Sequence, residues 1–255
     1  MIDLLVLILA VAPVAWLLRY IYRKDKYEKE PLRMLIKAFL LGILAIPLDF
    51  VLIAIINSLW VGEMVFYSAF WEAGIPEELS KWLLFMIFIW RNENFNEFFD
   101  GIVYATFISL GFACVENIMY VFDNETYFGA IGVGLMRALL SVPGHFLFAV
   151  LMGYYLGLAK FKPENRRKYL ILSLAAPMLA HGLFDYILML SEGLEEYAPI
   201  LGSLLFVAFI YFDLRLWKMG MNRINDLQDQ SKRQHDDETI ADIKKLEDIF
   251  KPDNK

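Results

Sequence analysis

Cysteine occurs once in 255 residues, at Cys114 inside an apolar stretch. One thiol closes no disulfide within the chain and builds no cysteine-ligated zinc site; Cys114 reads as a small packing residue. His-Glu-x-x-His, the helical zinc-protease pair, does not occur. Gly202-Ser203 lacks the flanks of a serine-nucleophile turn, and the Gly-x-Gly-Asp signature of aspartyl intramembrane enzymes is missing. So are P-loop and dinucleotide fingerprints, and nothing points to a nucleic-acid partner. Lys and Arg are absent from the stretches 57–67, 121–127 and 191–199. No basic region precedes the first apolar run, and Pro13 directly follows the cleavage-like Ala10-Val11-Ala12. That run reads as a retained helix, not a removed signal peptide.

What remains is apolar. Hydrophobic residues make up 58% of the chain and mean hydropathy is +0.47, against roughly 45–50% apolar residues in soluble domains. Several runs reach the ~18 residues that span hydrocarbon. The sequence predicts an all-α, polytopic transmembrane helix bundle of about seven spans, near 2–18, 34–56, 66–90, 100–121, 143–159, 169–190 and 200–217. Residues 128–142 read as an interfacial segment anchored by Arg137, and Asp49 as a structural polar residue. The net charge of −6 averages two unlike sides. Arg19, Arg23, Lys24, Lys26, Lys29 and Arg33 fall on the same side as Lys160, Lys162, Arg166, Arg167, Lys168 and the basic-rich tail. The positive-inside rule then places the N-terminus outside and the C-terminus in the cytoplasm. Residues 1–218 form the membrane domain. Residues 219–255 form a solvated, mixed-charge cytoplasmic tail without a catalytic role, where Ile240, Ile243, Leu246 and Phe250 would make one short amphipathic helix.

One stretch breaks the apolar pattern. Pro76-Glu77-Glu78-Leu79-Ser80-Lys81 lies inside the third apolar segment. Each charge there costs roughly 2.5–3.5 kcal/mol at a membrane helix centre, and such groups mark function. Lys81 follows Glu77 by four residues and Glu78 by three, so one ammonium reaches either carboxylate. Sharing it sets the two acids apart, one suited as base and the other as acid. Pro76 removes a helix hydrogen bond and Gly74 loosens the same turn. A helix break is therefore expected, with both carboxylates near a helix N-terminus. At 1.5 Å per residue, Glu78 and His181 lie about 18 Å from the basic side, and Glu116 and His145 about 24 and 22 Å. Four residues from four helices thus share one level in the outer half of the membrane. Asp185, one turn after His181, is placed to orient its imidazole.

Taken in order, Glu77-Glu78-x-x-Lys81, Phe112-x-x-x-Glu116, His145 and His181-x-x-x-Asp185 resemble the PrsW family of bacterial intramembrane proteases. That family belongs to the superfamily of the CAAX prenyl endopeptidases. The words at 99–104 and 111–117 fit it too, and the resemblance spans about residues 32–190. It implies glutamate-dependent cleavage, in the bacterial cell membrane, of a single-span protein near its extracytoplasmic side. The implied substrate is an anti-sigma factor, cut first in the response to envelope or antimicrobial-peptide stress. By the same analogy Glu77 activates a water as general base, Glu116 holds that water, and His181 with Asp185 faces the oxyanion. The chain departs from the prenyl endopeptidases in three places. Lys81 stands where they carry Arg at another spacing, Glu116 replaces a His, and Asp185 replaces an Asn, so CAAX processing is not expected. A carboxylate-activated water needs no cofactor; a metal-dependent variant would use Glu77, Glu116, His145 and His181. The partners are then the substrate and the lipid bilayer. A rival reading is a proton-coupled transporter using the same Glu/His/Asp cluster, although repeat symmetry and paired broken helices are not evident. A non-catalytic membrane adaptor is a third.

Overall fold

The computed structural model describes residues 2–62 and 64–250. Seven long helical passes account for them, with no strand among the described residues. Helix α1 is Ile2–Lys24 and α2 is Leu32–Leu59. Helix α3 is composite: Val65–Tyr67, a π turn over Ser68–Gly74, then Ile75–Phe88. Helix α4 is Asp100–Phe122. Helix α5 is composite too, with Tyr127–Met136, a π turn over Arg137–Ser141, and Val142–Phe161. A short turn, Pro163–Asn165, leads to α6, Arg166–Glu195, and α7 is Pro199–Phe250. The expected all-α membrane bundle is what the chain forms. Six of the seven helices are long and apolar enough to cross a membrane. The exception is α3, which carries Glu72, Glu77, Glu78 and Lys81.

Two boundaries differ from the sequence reading. Residues 128–142 are not a separate interfacial segment. They run straight into the next span as one helix, Tyr127–Phe161, because a π turn widens the backbone just ahead of Pro143. The last helix does not stop near 217 but continues to Phe250, so the division at 218/219 falls inside it. Ile240 and Ile243 are exposed on this extension; the side chains of Leu246 and Phe250 lie outside the described set.

Helix α4 sits in the middle, packed on α1, α2 and α5. In lipid there is little hydrophobic drive between helices, so close backbone approach decides packing. A Cβ on Gly101 would stand 2.4 Å from the Gly153 carbonyl oxygen, and only glycine lets α4 and α5 meet this closely. The outward faces are apolar; Leu40, Leu44, Val51 and Ile55 of α2 are all exposed, as a lipid-facing surface requires.

The basic loops do share one face. Lys160 Nζ donates to the Trp90 carbonyl (2.7 Å), Phe99 N–H to Ser231 Oγ (2.9 Å) and Gln234 Nε2 to the Asn96 carbonyl (2.8 Å). The α7 extension is thereby docked on the loop before α4, and its His235 ring lies against Tyr27 in the loop before α2. This face also buries Asp25, Glu30, Glu97 and Asp100. Asp100 Oδ2 accepts the N–H groups of Asn96 and Glu97 (2.9 and 2.7 Å), and Tyr104 O–H donates to Glu30. Burial pushes the loop carboxyls up, Asp25 to about 6 and Glu97 to about 8, and raises Glu30 as well.

Candidate active site

The geometry of the site starts with a close crossing of α3 and α6. A Cβ on Gly74 would lie 2.7 Å from Gly182 N, and one on Gly182 would lie 2.3 Å from the Phe70 ring. Two bare backbones are therefore pressed together, one residue from His181 and three from Glu77. The helix does not break at Pro76 as expected. It widens instead: Ile75 N–H reaches back to the Phe70 carbonyl, and the π turn absorbs the proline. π turns of this kind are frequent at functional sites.

Glu77, Glu78 and Lys81 leave this helix toward the bundle interior and are buried there. Lys81 Nζ lies 3.1 Å from Glu77 Oε2, 2.8 Å from Glu78 Oε1 and 3.3 Å from His145 Nδ1. It also caps the Phe112 ring at 4.1 Å. Glu78 Oε1 is shared with His181 Nδ1 at 3.1 Å, and His181 Nε2 faces Asp185 Oδ2 at 3.3 Å. The His181 ring stacks on Phe148. His145 Nε2 meets Glu116 Oε2 at 2.8 Å. All seven residues singled out in the sequence thus belong to one connected network: Glu77, Glu78, Lys81, Glu116, His145, His181 and Asp185. Both ring nitrogens of His181 are engaged by carboxylates within the protein.

Sequence reasoning missed Arg137. Its Nη2 stands 2.7 Å from Glu116 Oε2, its Nε donates to Asn117 Oδ1 (2.7 Å), and its guanidinium stacks over Tyr120. Asn117 in turn donates to the Ala10 carbonyl at 3.0 Å, tying the site to α1. Nη2 and Glu116 thus form a close, largely buried ion pair. The Phe112-x-x-x-Glu116-Asn117 word held half of this contact; the arginine comes twenty residues after Asn117, in a stretch read as interfacial.

Two cavities meet at Glu77. One, of about 600 Å³, is lined by Arg137, Glu116, Asp185, Glu192 and Asn124 and runs toward the face opposite the basic loops. The other, of about 740 Å³, lies between α2 and α4 and is lined by Ile46, Asp49, Phe50, Phe112 and Met119. Both are lined by Ala73, Glu77, Glu116 and Tyr120. Glu78 is fully buried, whereas Glu77 retains 7% exposure and lines both spaces.

A metal ion is a fair test of such a group. One ligand atom from each of Glu77, Glu78, His145 and His181 lies within 4.8 Å of all the others. Two carboxylates and two imidazoles are a suitable donor set for a divalent ion, and buried Glu78 Oε2 has no partner. The residues fit. Glu78 takes the place that the metal-dependent reading of the sequence gave to Glu116, which sits behind His145.

The description "PrsW family intramembrane metalloprotease" belongs to a family model that matches residues 30–212. The chain belongs to the PrsW family. It is 38% identical to a protease PrsW of Oceanobacillus iheyensis over 84% of its own length and 95% of that protein. Identity is 41% to a protease PrsW of Bacillus subtilis, over 70% of this chain and 80% of the relative. It is 35% to one of Clostridioides difficile, over 89% and 92%. No solved structure matches the chain. Membership in this family makes the protein an intramembrane protease, a multi-pass protein of a bacterial membrane acting on a membrane-embedded protein substrate. It does not favour the transporter reading.

Proposed function

We propose that this PrsW protein is a glutamate-dependent endopeptidase that cuts a single-span membrane protein near its extracytoplasmic side. The observation that carries this reading is Glu77, the acid of the buried Glu77/Glu78 pair that lines both cavities. Lys81 fixes its Oε2 at 3.1 Å, and its other oxygen has no protein partner among the described residues. Glu77 takes a proton from a water as that water's oxygen bonds to the scissile carbonyl carbon. The carbonyl electron pair moves onto oxygen, to which the Arg137 guanidinium, held by Glu116 and Asn117 and lining the same cavity as Glu77, donates. Collapse breaks the C–N bond, and Glu77 returns its proton to the leaving nitrogen. Glu116 holds Arg137 and His145 in place; His181 and Asp185 brace Glu78.

A bound divalent ion would be held by Glu77, Glu78, His145 and His181 and would supply an acidified water and a Lewis acid. The positive-inside rule makes the basic face cytoplasmic. The cavity lined by Asn124, Asp185 and Glu192 then faces outward, in keeping with an extracytoplasmic cut. The reading of an anti-sigma factor as substrate, cleaved first in a stress-signalling cascade, rests on PrsW family membership. Chemistry is confined to residues 1–218, and the extension beyond is cytoplasmic.

The test is reconstitution with single-span substrates, reading fragments by mass. Glu77→Gln should lower the rate by about 10²–10⁴-fold, the usual weight of a general base, with membrane insertion unchanged. Full activity in that variant would sink the proposal. Exhaustive chelation should leave the wild-type rate intact; loss of activity that a divalent ion restores moves the water's activation to the metal.

A further inference from the structure

Asp49 is a buried carboxyl inside a membrane-crossing helix that the reaction above does not use. It lies on α2, two residues after Pro47, and is 6% exposed. Its side chain makes no hydrogen bond or ion pair among the described residues, and Oδ1 is buried without a partner. A buried carboxylate oxygen left alone is costly, and in a membrane interior such a group signals function.

Its depth can be read from the helix register. Lys37 Nζ contacts the Phe88 carbonyl at 3.5 Å, which pins α2 against the end of α3. Asp49 lies twelve residues along α2 from that point, about 18 Å, and Glu77 eleven residues back along α3, about 16 Å. The two carboxylates are therefore level, and both line the cavity between α2 and α4. The rim of this cavity faces lipid: Phe50 is 53% exposed, Phe122 53% and Met119 45%. The other cavity is lined by Arg137, Asp185 and Glu192. Both cavities mix apolar and acidic lining, with Glu72, Glu116 and Asp123 on the α2/α4 side, and of the two it is this one that α2 lines.

A membrane segment that is to be cut must leave its helix near the scissile bond. Its freed backbone N–H groups then have no acceptor in hydrocarbon, a cost of several kcal/mol each. An acceptor at the depth of the base, in an opening whose rim faces lipid, meets that need. We infer that the opening between α2 and α4 seats the unwound segment of the substrate and that Asp49 accepts an N–H from it. The donor is a backbone amide or a basic side chain of that segment. This inference rests on the protease reading, and it makes Asp49 a positioning residue and the α2/α4 side the substrate's side.

The experiment has two parts. Purified enzyme in nanodiscs is given a single-span substrate, and kcat, KM and cut position are measured for wild type, Asp49→Asn and Asp49→Leu. Loss of one charge-assisted hydrogen bond should raise KM about tenfold or more in Asp49→Leu, spread the cut over neighbouring bonds, and leave kcat within about threefold. Asp49→Asn, which keeps an acceptor oxygen, should fall between. A substrate whose basic residues near the cut are replaced by Gln separates the donors. Persistence of the Asp49 effect assigns the backbone, and its disappearance assigns the side chain. In the second part, a photo-crosslinking residue replaces Phe50 or, separately, Leu140 of the other cavity, in a Glu77→Gln background. Capture from position 50 and not from 140 is expected, and needs no cleavage. Capture from 140 alone, or unchanged KM and cut position in Asp49→Leu, would overturn the inference. Absence of any cleavage by wild type, with capture at 50 intact, would count against the protease reading and not against the seat.

Discussion

Arg137 contacts Glu116, Asn117 and Tyr120 at once, so a change there acts on the reacting centre more than on the fold. If it receives the oxyanion, Arg137→Met should lower kcat by about 10²–10³-fold with KM little changed, the cost typical of a lost oxyanion donor. Arg137→Lys keeps the charge but loses the fork and the ring contact, and should recover only part. Steady-state kinetics on a fluorogenic transmembrane substrate checks this; a changed KM at constant kcat would instead make Arg137 a binding group. At this scale the sequence was informative where spacing is local. Glu77, Glu78 and Lys81 are one helical turn, and His181 and Asp185 another, so their contacts follow from helix geometry. Arg137 could not be found this way. Its partner lies on another helix, and the Gly-rich run at 129–134 hid the helix that carries it.

The two composite helices share a device. In α3 a π turn is followed by Ile75-Pro76 and then Glu77; in α5 a π turn is followed by Val142-Pro143 and then His145. A proline cannot donate to the preceding turn and its ring crowds the carbonyl four residues back. The wider turn relieves both without breaking the rod, so neighbouring helices keep their contacts while the site residues are re-aimed. Composition predicted disruption at Pro76 but could not show that packing would turn a break into a π turn. The fit at Gly182 is the weak point of the arrangement. Gly182→Ala drives a methyl group into the Phe70 ring and should cost about 1–3 kcal/mol, as overpacking does, with activity lost as α3 moves off α6. Gly193→Ala on the same helix, with open space around it, should leave both intact. Thermal unfolding in detergent alongside a cleavage assay separates the two; equal behaviour of the variants would contradict this account.

For the whole molecule, the number and order of spans were legible because apolar runs dominate the chain. The docking of the α7 extension was not, since its mixed charge looks solvated while Ile224, Leu227 and Ser231 are buried. That docking covers carboxyls whose burial raises them, Asp25 to about 6, Glu97 to about 8, and Glu30 likewise. The folded form holds their protons more firmly than the unfolded chain, where carboxyls titrate near ~4. Their contribution to stability is therefore complete below that pH and lost as pH rises through about 6 to 8. Hydrogen exchange across 224–234 should speed up between pH 6 and pH 9 beyond the intrinsic base-catalysed rise, and Glu97→Gln should flatten the change. Protection that is constant or greater at pH 9 would refute it. The charges of α3 bear also on how the protein is made. Translation delivers α3 before its partners exist, since His145 follows Lys81 by 64 residues and His181 follows Glu78 by 103. At about 5–20 residues per second, α3 waits seconds for the histidines that complete its charge network. A nascent chain truncated just after residue 94 should leave α3 outside the bilayer, and one reaching Glu195 should not. A glycosylation acceptor placed at residues 92–94 would be modified in microsomes only in the shorter chain. The catalytic helix would then be a late-committing segment of biogenesis, held back from lipid until the enzyme around it is nearly complete.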